Sequence, residues 1–229
     1  MVEEKLRALL REKKNFVLIG EAGSGKTEIA LSLAAHMARL SEREVHLFDM
    51  DQTKPDFRAR DAADRMAAEG VHVHFHEQLL DSPVVATGVT EHLKNPGVCV
   101  LMDVGGGNYG AHMIGQFHEL LNKEDALVLY VVNPYRPWSG SPEAVEETMR
   151  RVLGSARLER ICVLANPNYG PHTTLEEIIE GVSRVKALVG ERPVEYVCAL
   201  EKHCAALEKR VEEPVIPIRL RTLPDWMLE

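Results

Sequence analysis

The chain is poor in the features that mark several large protein classes. Among 229 residues it has four cysteines, Cys99, Cys162, Cys198 and Cys204, and none forms a C-x-x-C pair. That excludes a disulfide scaffold and the usual paired-thiolate zinc spacings. The four read as small core residues in a reducing compartment. No apolar run approaches the roughly 20 residues needed to cross a bilayer. The opening "MVEEKLRALLREKK" is charged throughout, unlike a secretory leader. A cytoplasmic protein is expected. Basic charge is scarce too: 27 Lys and Arg face 35 Asp and Glu, a net charge of −8. Nothing in that balance favours a nucleic-acid partner.

Short apolar runs are plentiful. They fall at residues 15–20, 44–51, 70–76, 97–104, 126–133, 160–167 and 194–200, several of them almost continuous in Val, Ile and Leu. Such runs mark strands buried on both faces, as in a parallel sheet. Between them lie stretches long enough for crossover helices, at 26–40, 57–69, 86–94, 109–123, 141–153, 173–189 and 201–210. The alternation predicts a three-layer, doubly wound α/β fold with a mainly parallel sheet of about seven to eight strands. No linker, repeat or low-complexity stretch interrupts it. One domain over residues 1–229 is expected. Functional loops of such a sheet lie beyond the carboxyl ends of its strands.

The first of those ends reads "GEAGSGKT", Gly20 to Thr27. Its spacing is G-x-x-x-x-G-K-[ST], with a strand before it and a helix after it, the context that a phosphate-binding loop requires. Glycines let the backbone turn and approach a phosphate. Backbone N–H groups and the helix start then face the anion. The expected nucleotide contacts are Gly20, Glu21, Ala22, Gly23, Ser24, Gly25, Lys26, Thr27 and the adjoining Glu28. Lys26 would reach the β- and γ-phosphates, and the Thr27 hydroxyl would bind Mg2+.

Two other strands end in acids. "VHLFDMDQT" carries Asp49 and Asp51, and "VCVLMDVGGG" carries Asp103. A carboxylate there can hold Mg2+ opposite Thr27, directly or through water. The expected metal set is Thr27, Asp49, Asp51 and Asp103, and the expected catalytic set is Lys26, Asp51 and Asp103. Gly105, Gly106 and Gly107 would form a flexible sensor for the γ-phosphate, with Gly106 approaching it. Val104 follows Asp103 where many motor-like ATPases keep a water-activating Glu, which argues against that branch.

The order of "GEAGSGKTEIALSLA", "VHLFDMDQTKPDF", "VLMDVGGG" and "VLANPN" resembles the nucleotide-binding proteins related to Min-type and Par-type ATPases, the nitrogenase iron protein and cobyrinate synthases. The resemblance covers about residues 15–220. It implies ATP or ADP with Mg2+, and often a nucleotide-dependent homodimer. It also implies that Asp51 orients the attacking water or the Mg2+ shell. Asn166 would face the adenine edge, with Pro167 and Asn168 beside it. Ala199 to Lys202, including Leu200, would wall the base. Glu21 departs from the pattern. Min-type and Par-type proteins usually keep a lysine there that reaches the partner's phosphates, and a carboxylate would repel them. Lys54, Arg58 and Arg60 are candidate substitutes.

The functional expectation is a Mg2+-dependent ATP-binding protein. It would be a slow ATPase and a switch for an unidentified protein partner or for metalloenzyme maturation. The alternative is a small-molecule kinase or ATP-dependent ligase on the same fold. Two further features stay open, and a third is read one way. His72, His74 and His76 alternate on one strand face, as metal ligands or as the polar side of an edge strand. Arg136 and Trp138 in "NPYRPWSGSPE" form a recognition surface or a rigid loop before a helix capped by Ser141 and Pro142. The tail from residue 214 reads as a last strand and is too short and acidic for a membrane anchor.

Overall fold

A computed structural model describes residues 2–51, 59–74 and 88–222. Its centre is a sheet of eight parallel strands. They are β1 (Asn15–Ile19), β2 (Glu44–Met50), β3 (Val71–His74), β4 (Val98–Val104), β5 (Ala126–Val132), β6 (Cys162–Ala165), β7 (Val194–Leu200) and β8 (Val215–Ile218). Their spatial order is β3-β2-β4-β1-β5-β6-β7-β8. β1 therefore lies mid-sheet between β4 and β5, and all five of its residues are buried. That burial is why its sequence, "NFVLI", is almost wholly apolar.

Helices cover both faces. On one side lie α1 (Val2–Glu12), α2 (Lys26–Leu40) and α3 (Ala59–Ala68), which pack Leu10, Ile29, Leu33 and Met66 onto Phe16, Leu18, Leu47 and Leu101. On the other lie α4 (Val89–Lys94), α5 (Gly107–Ile114), α6 (His118–Leu121), α7 (Pro142–Ala156), α8 (Leu175–Val189) and α9 (Glu201–Leu207). These bury residues such as Leu93, Ile114, Val152 and Val185 against Val17, Val100 and Tyr130. The caps are local and sequence-encoded. Ser141 caps α7 with Pro142 at its first position, and Thr174 with Glu177 forms a capping box on α8.

The expected three-layer parallel fold is present, including the last strand, β8. The expected 26–40 helix matches α2 to the residue. Two differences have physical causes. The 109–123 helix is broken by a one-turn 3-10 segment, Gly115–Phe117, where a side chain at Gly115 would lie 3.0 Å from the Ser155 carbonyl. The sequence reading placed no helix before β1, yet α1 is there, with Leu6, Leu9 and Leu10 packing at helical spacing. His76, Gln52, Lys54 and Arg58 lie outside the described residues, as does the side chain of Arg60. The four cysteines are unpaired, and burial pushes the Cys162 and Cys204 thiols up to about 11. No helix among the described residues is long and apolar enough to cross a membrane.

Candidate functional site

The glycine-rich loop joins β1 to α2 and turns back over the sheet end. Gly25 caps α2 with φ 97°, a left-handed conformation open to glycine at little cost. A Cβ there would also stand 2.3 Å from the Asn166 amide nitrogen. Both constraints demand glycine. Lys26 follows at the first helical position and is 7% exposed. Its ammonium donates to the carbonyls of Gly20 (3.1 Å) and Glu21 (2.8 Å) and lies 3.4 Å from the Ser24 hydroxyl. The loop thus curls around the lysine head group.

The acids gather under this loop. Register pairs Asp49 of β2 with Asp103 of β4. Both side chains lie on the face that α2 covers, because they share parity with Leu47 and Leu101. Asp49 Oδ1 accepts the Asp51 backbone N–H at 3.0 Å, which fixes the turn leaving β2. Asp103 is 4% exposed. Its pKa is raised to about 7, first by burial and next by the Asp49 charge. Lys26 and a hydrogen bond from the Thr27 hydroxyl act against that rise. Two facing carboxylates beside a threonine hydroxyl form a hard-oxygen donor set that fits Mg2+. Thr27, Asp49, Asp51 and Asp103 are the residues that would hold it.

The triple glycine after β4 closes on the loop. The Gly107 N–H donates to the Gly20 carbonyl at 3.3 Å. Gly106 has an ordinary extended backbone, φ −65° and ψ 144°. A Cβ there would meet the Ala22 Cα and N at 2.6 Å, so its glycine is required by close approach and not by conformation. A Cβ on Gly105 would stand 3.0 Å from the Asp51 Oδ1.

Several loop contacts were not foreseen. Glu21 pairs with Arg151 on α7 at 2.7 Å, so a cation of the same chain meets the acidic residue. Arg136 Nε donates to the Gly23 carbonyl at 2.8 Å, and Trp138 Nε1 donates to the Ala22 carbonyl at 3.1 Å. The aromatic loop after β5 is therefore a brace on the phosphate loop. Asn166, expected near a base, donates its amide to the Ser24 carbonyl at 2.7 Å and is 5% exposed. Glu28 turns away from the loop. Its carboxylate accepts the backbone N–H groups of Arg221 (2.8 Å) and Thr222 (2.9 Å) and pins residues 219–222 beside α2. These partners are over 100 residues apart in every case, so no local pattern encodes them.

Together these elements enclose a cavity of about 290 Å3. That is near the lower end of the ~300–1,000 Å3 range of small-molecule sites. Its lining comprises the loop residues Ala22, Gly23, Gly25, Lys26, Thr27 and Glu28, with Asp51, Val104 and Gly106 from the ends of β2 and β4, Arg136, Asn168, Gly170 and Pro171 from later loops, and Leu220 and Thr222. Gly20, Ser24, Asp49, Asp103, Asn166 and Leu200, the last residue of β7, are not among the residues that line it.

Fold and loop define a P-loop NTPase-like α/β architecture. Among solved structures the chain is similar to the cell division protein FtsY of Thermotoga maritima, with a TM-score of 0.52 and 14% identity, over 88% of this chain and 70% of that one. It is also similar to the signal recognition particle receptor FtsY of Elizabethkingia anophelis, with a TM-score of 0.49 and 19% identity, over 86% of this chain and 64% of that one. The chain thus spans less than two thirds of the Elizabethkingia receptor. At these identities the likeness concerns the fold. No protein-family model and no curated protein matches the chain.

Proposed function

We propose that the chain binds a nucleoside triphosphate with Mg2+ in this cavity, hydrolyses it slowly and uses it as a switch for a protein partner or in metalloenzyme maturation. One observation carries the reading. Lys26, Thr27 and the Asp49–Asp103 pair meet under a loop that glycine alone can form. Bound Mg2+ would supply the positive charge that offsets the triphosphate and the paired acids. Lys26 lines this cavity, and its ammonium rests on two loop carbonyls. Gly106 is the contact through which the β4 end would register an occupant beside Ala22. ATP is the nucleotide we propose, on the resemblance alone.

Within this fold we place the chain nearest the Min-type and Par-type branch, with a difference at residue 21. Glu21 is engaged by Arg151 of its own chain. Arg136 lines the cavity next to Gly23 and supports charge neutralisation in cis, so that no lysine from a second copy is needed. Phosphate release measured with the wild type and Lys26→Ala tests the hydrolysis. Equal release from both contradicts it. Gel filtration with a non-hydrolysable ATP analogue tests the assembly. We expect a phosphate-dependent site whether or not the chain dimerises.

A further inference from the structure

Four histidines from three elements converge at the sheet edge. His46 lies on β2, His72 and His74 on β3, and His92 on α4. Parallel register sets His46 beside His72 and Phe48 beside His74. Alternate strand positions share a face, so these side chains point the same way. The His92 ring centroid stands 4.5 Å from that of His46 and 5.4 Å from that of His74. The ligand-capable atoms of His46, His74 and His92 all lie within 4.8 Å of one another, and so do those of Glu44, His46 and His72. His46 Nδ1 is 2.8 Å from His74 Nε2. A tetrahedral zinc ion with bonds of ~2.0–2.1 Å holds its nitrogens about 3.3 Å apart. The His46–His74 contact through Nδ1 is at hydrogen-bond length, and one nitrogen from each of the three rings lies within reach of a common ion.

Two observations point to a ligand and not to packing alone. His46 is 8% exposed, yet its Nε2 has no hydrogen-bond partner among the described residues and lies 3.7 Å from the Glu44 carboxylate. Buried polar atoms ordinarily find partners. His92 Nδ1 stands 2.7 Å from the Gly88 carbonyl. A carbonyl only accepts, so Nδ1 carries the proton and Nε2 keeps its lone pair. That is how ligating histidines are usually held.

We infer that His46, His74 and His92 form a site for a divalent transition-metal ion, zinc in first place, with Glu44 or His72 completing the coordination. Imidazole and carboxylate donors suit zinc, nickel and copper and leave magnesium to oxygen sites. Glu44 and His72 are exposed, which opens the site to solvent. The site stands apart from the nucleotide cavity and does not rest on it.

The test is a zinc titration of full-length, tag-free, chelator-stripped protein against a chromophoric competitor. We expect one equivalent bound in the wild type. Affinity should fall about tenfold or more in His74→Gln and in His92→Gln, and hold in His112→Gln, an exposed position on α5. Melts without metal confirm that each variant folds, and His92→Gln alone suffices if His74→Gln does not. The inference is overturned if the wild type does not compete for zinc, or if folded variants bind as tightly as the wild type.

Discussion

Replacing Asp103 with asparagine should stabilise the protein at pH 8 while abolishing its Mg2+-dependent nucleotide response. Asp103 is 4% exposed, and burial and the Asp49 charge raise its pKa from 3.8 to about 7. The unfolded chain ionises this group at its ordinary value. Between about pH 4 and pH 7 the folded state therefore binds more protons than the unfolded one. Stability then falls as pH rises, by about 1.4 kcal/mol per unit for this one group. Three units amount to ~4 kcal/mol at pH 8. Asparagine carries no charge and keeps an oxygen for the Thr27 hydroxyl, so it escapes that penalty. For a domain of this size ~4 kcal/mol corresponds to roughly 8–16 °C in melting temperature. Thermal melts by circular dichroism at pH 5 and pH 8, without nucleotide, read the effect. The gain should be largest at pH 8 and shrink to under half at pH 5. An Asp103→Asn variant that melts below the wild type at both pH values would refute the reasoning.

Three further outcomes follow from the same geometry. Gly106→Ala places a methyl 2.6 Å from the Ala22 backbone; it should cost ~1–3 kcal/mol in chemical denaturation and weaken nucleotide binding. Arg136→Ala removes a cation from the cavity wall and a brace on Gly23; by isothermal calorimetry it should weaken triphosphate binding about tenfold and diphosphate binding less. Asn166→Ala leaves the buried Ser24 carbonyl without its amide donor; it should cost ~1–3 kcal/mol in stability, measurable by urea unfolding at unchanged slope.

The strands and the phosphate loop could be read from sequence because their causes are local. A strand such as "VCVLMDV" is buried along its whole length, so every position must be apolar until Asp103. The loop is legible because Gly20, Gly25, Lys26 and Thr27 occupy fixed spacings. α1 escaped notice because its three packing leucines are interleaved with Glu, Lys and Arg, and the segment was weighed only against a secretory leader, which its charge does not resemble. The braces were illegible for another reason. Glu21 meets Arg151, Glu28 meets residues 221 and 222, and Asn166 meets Ser24 only once the sheet order is set. The histidines divide along the same line. His72 and His74 show their alternation on one strand, whereas His46 and His92 join them through β2–β3 register and the packing of α4.

The central claim is that the cavity under the Gly20–Thr27 loop binds a Mg2+–nucleoside triphosphate. The direct measurement is isothermal calorimetry of ATP, with GTP as a parallel titrant, into wild type, Lys26→Ala and Thr27→Ala, with and without EDTA. We predict saturable one-to-one binding to the wild type, weakened at least tenfold by either substitution and by EDTA. Absence of binding for both nucleotides, or binding indifferent to Lys26, Thr27 and Mg2+, would contradict it.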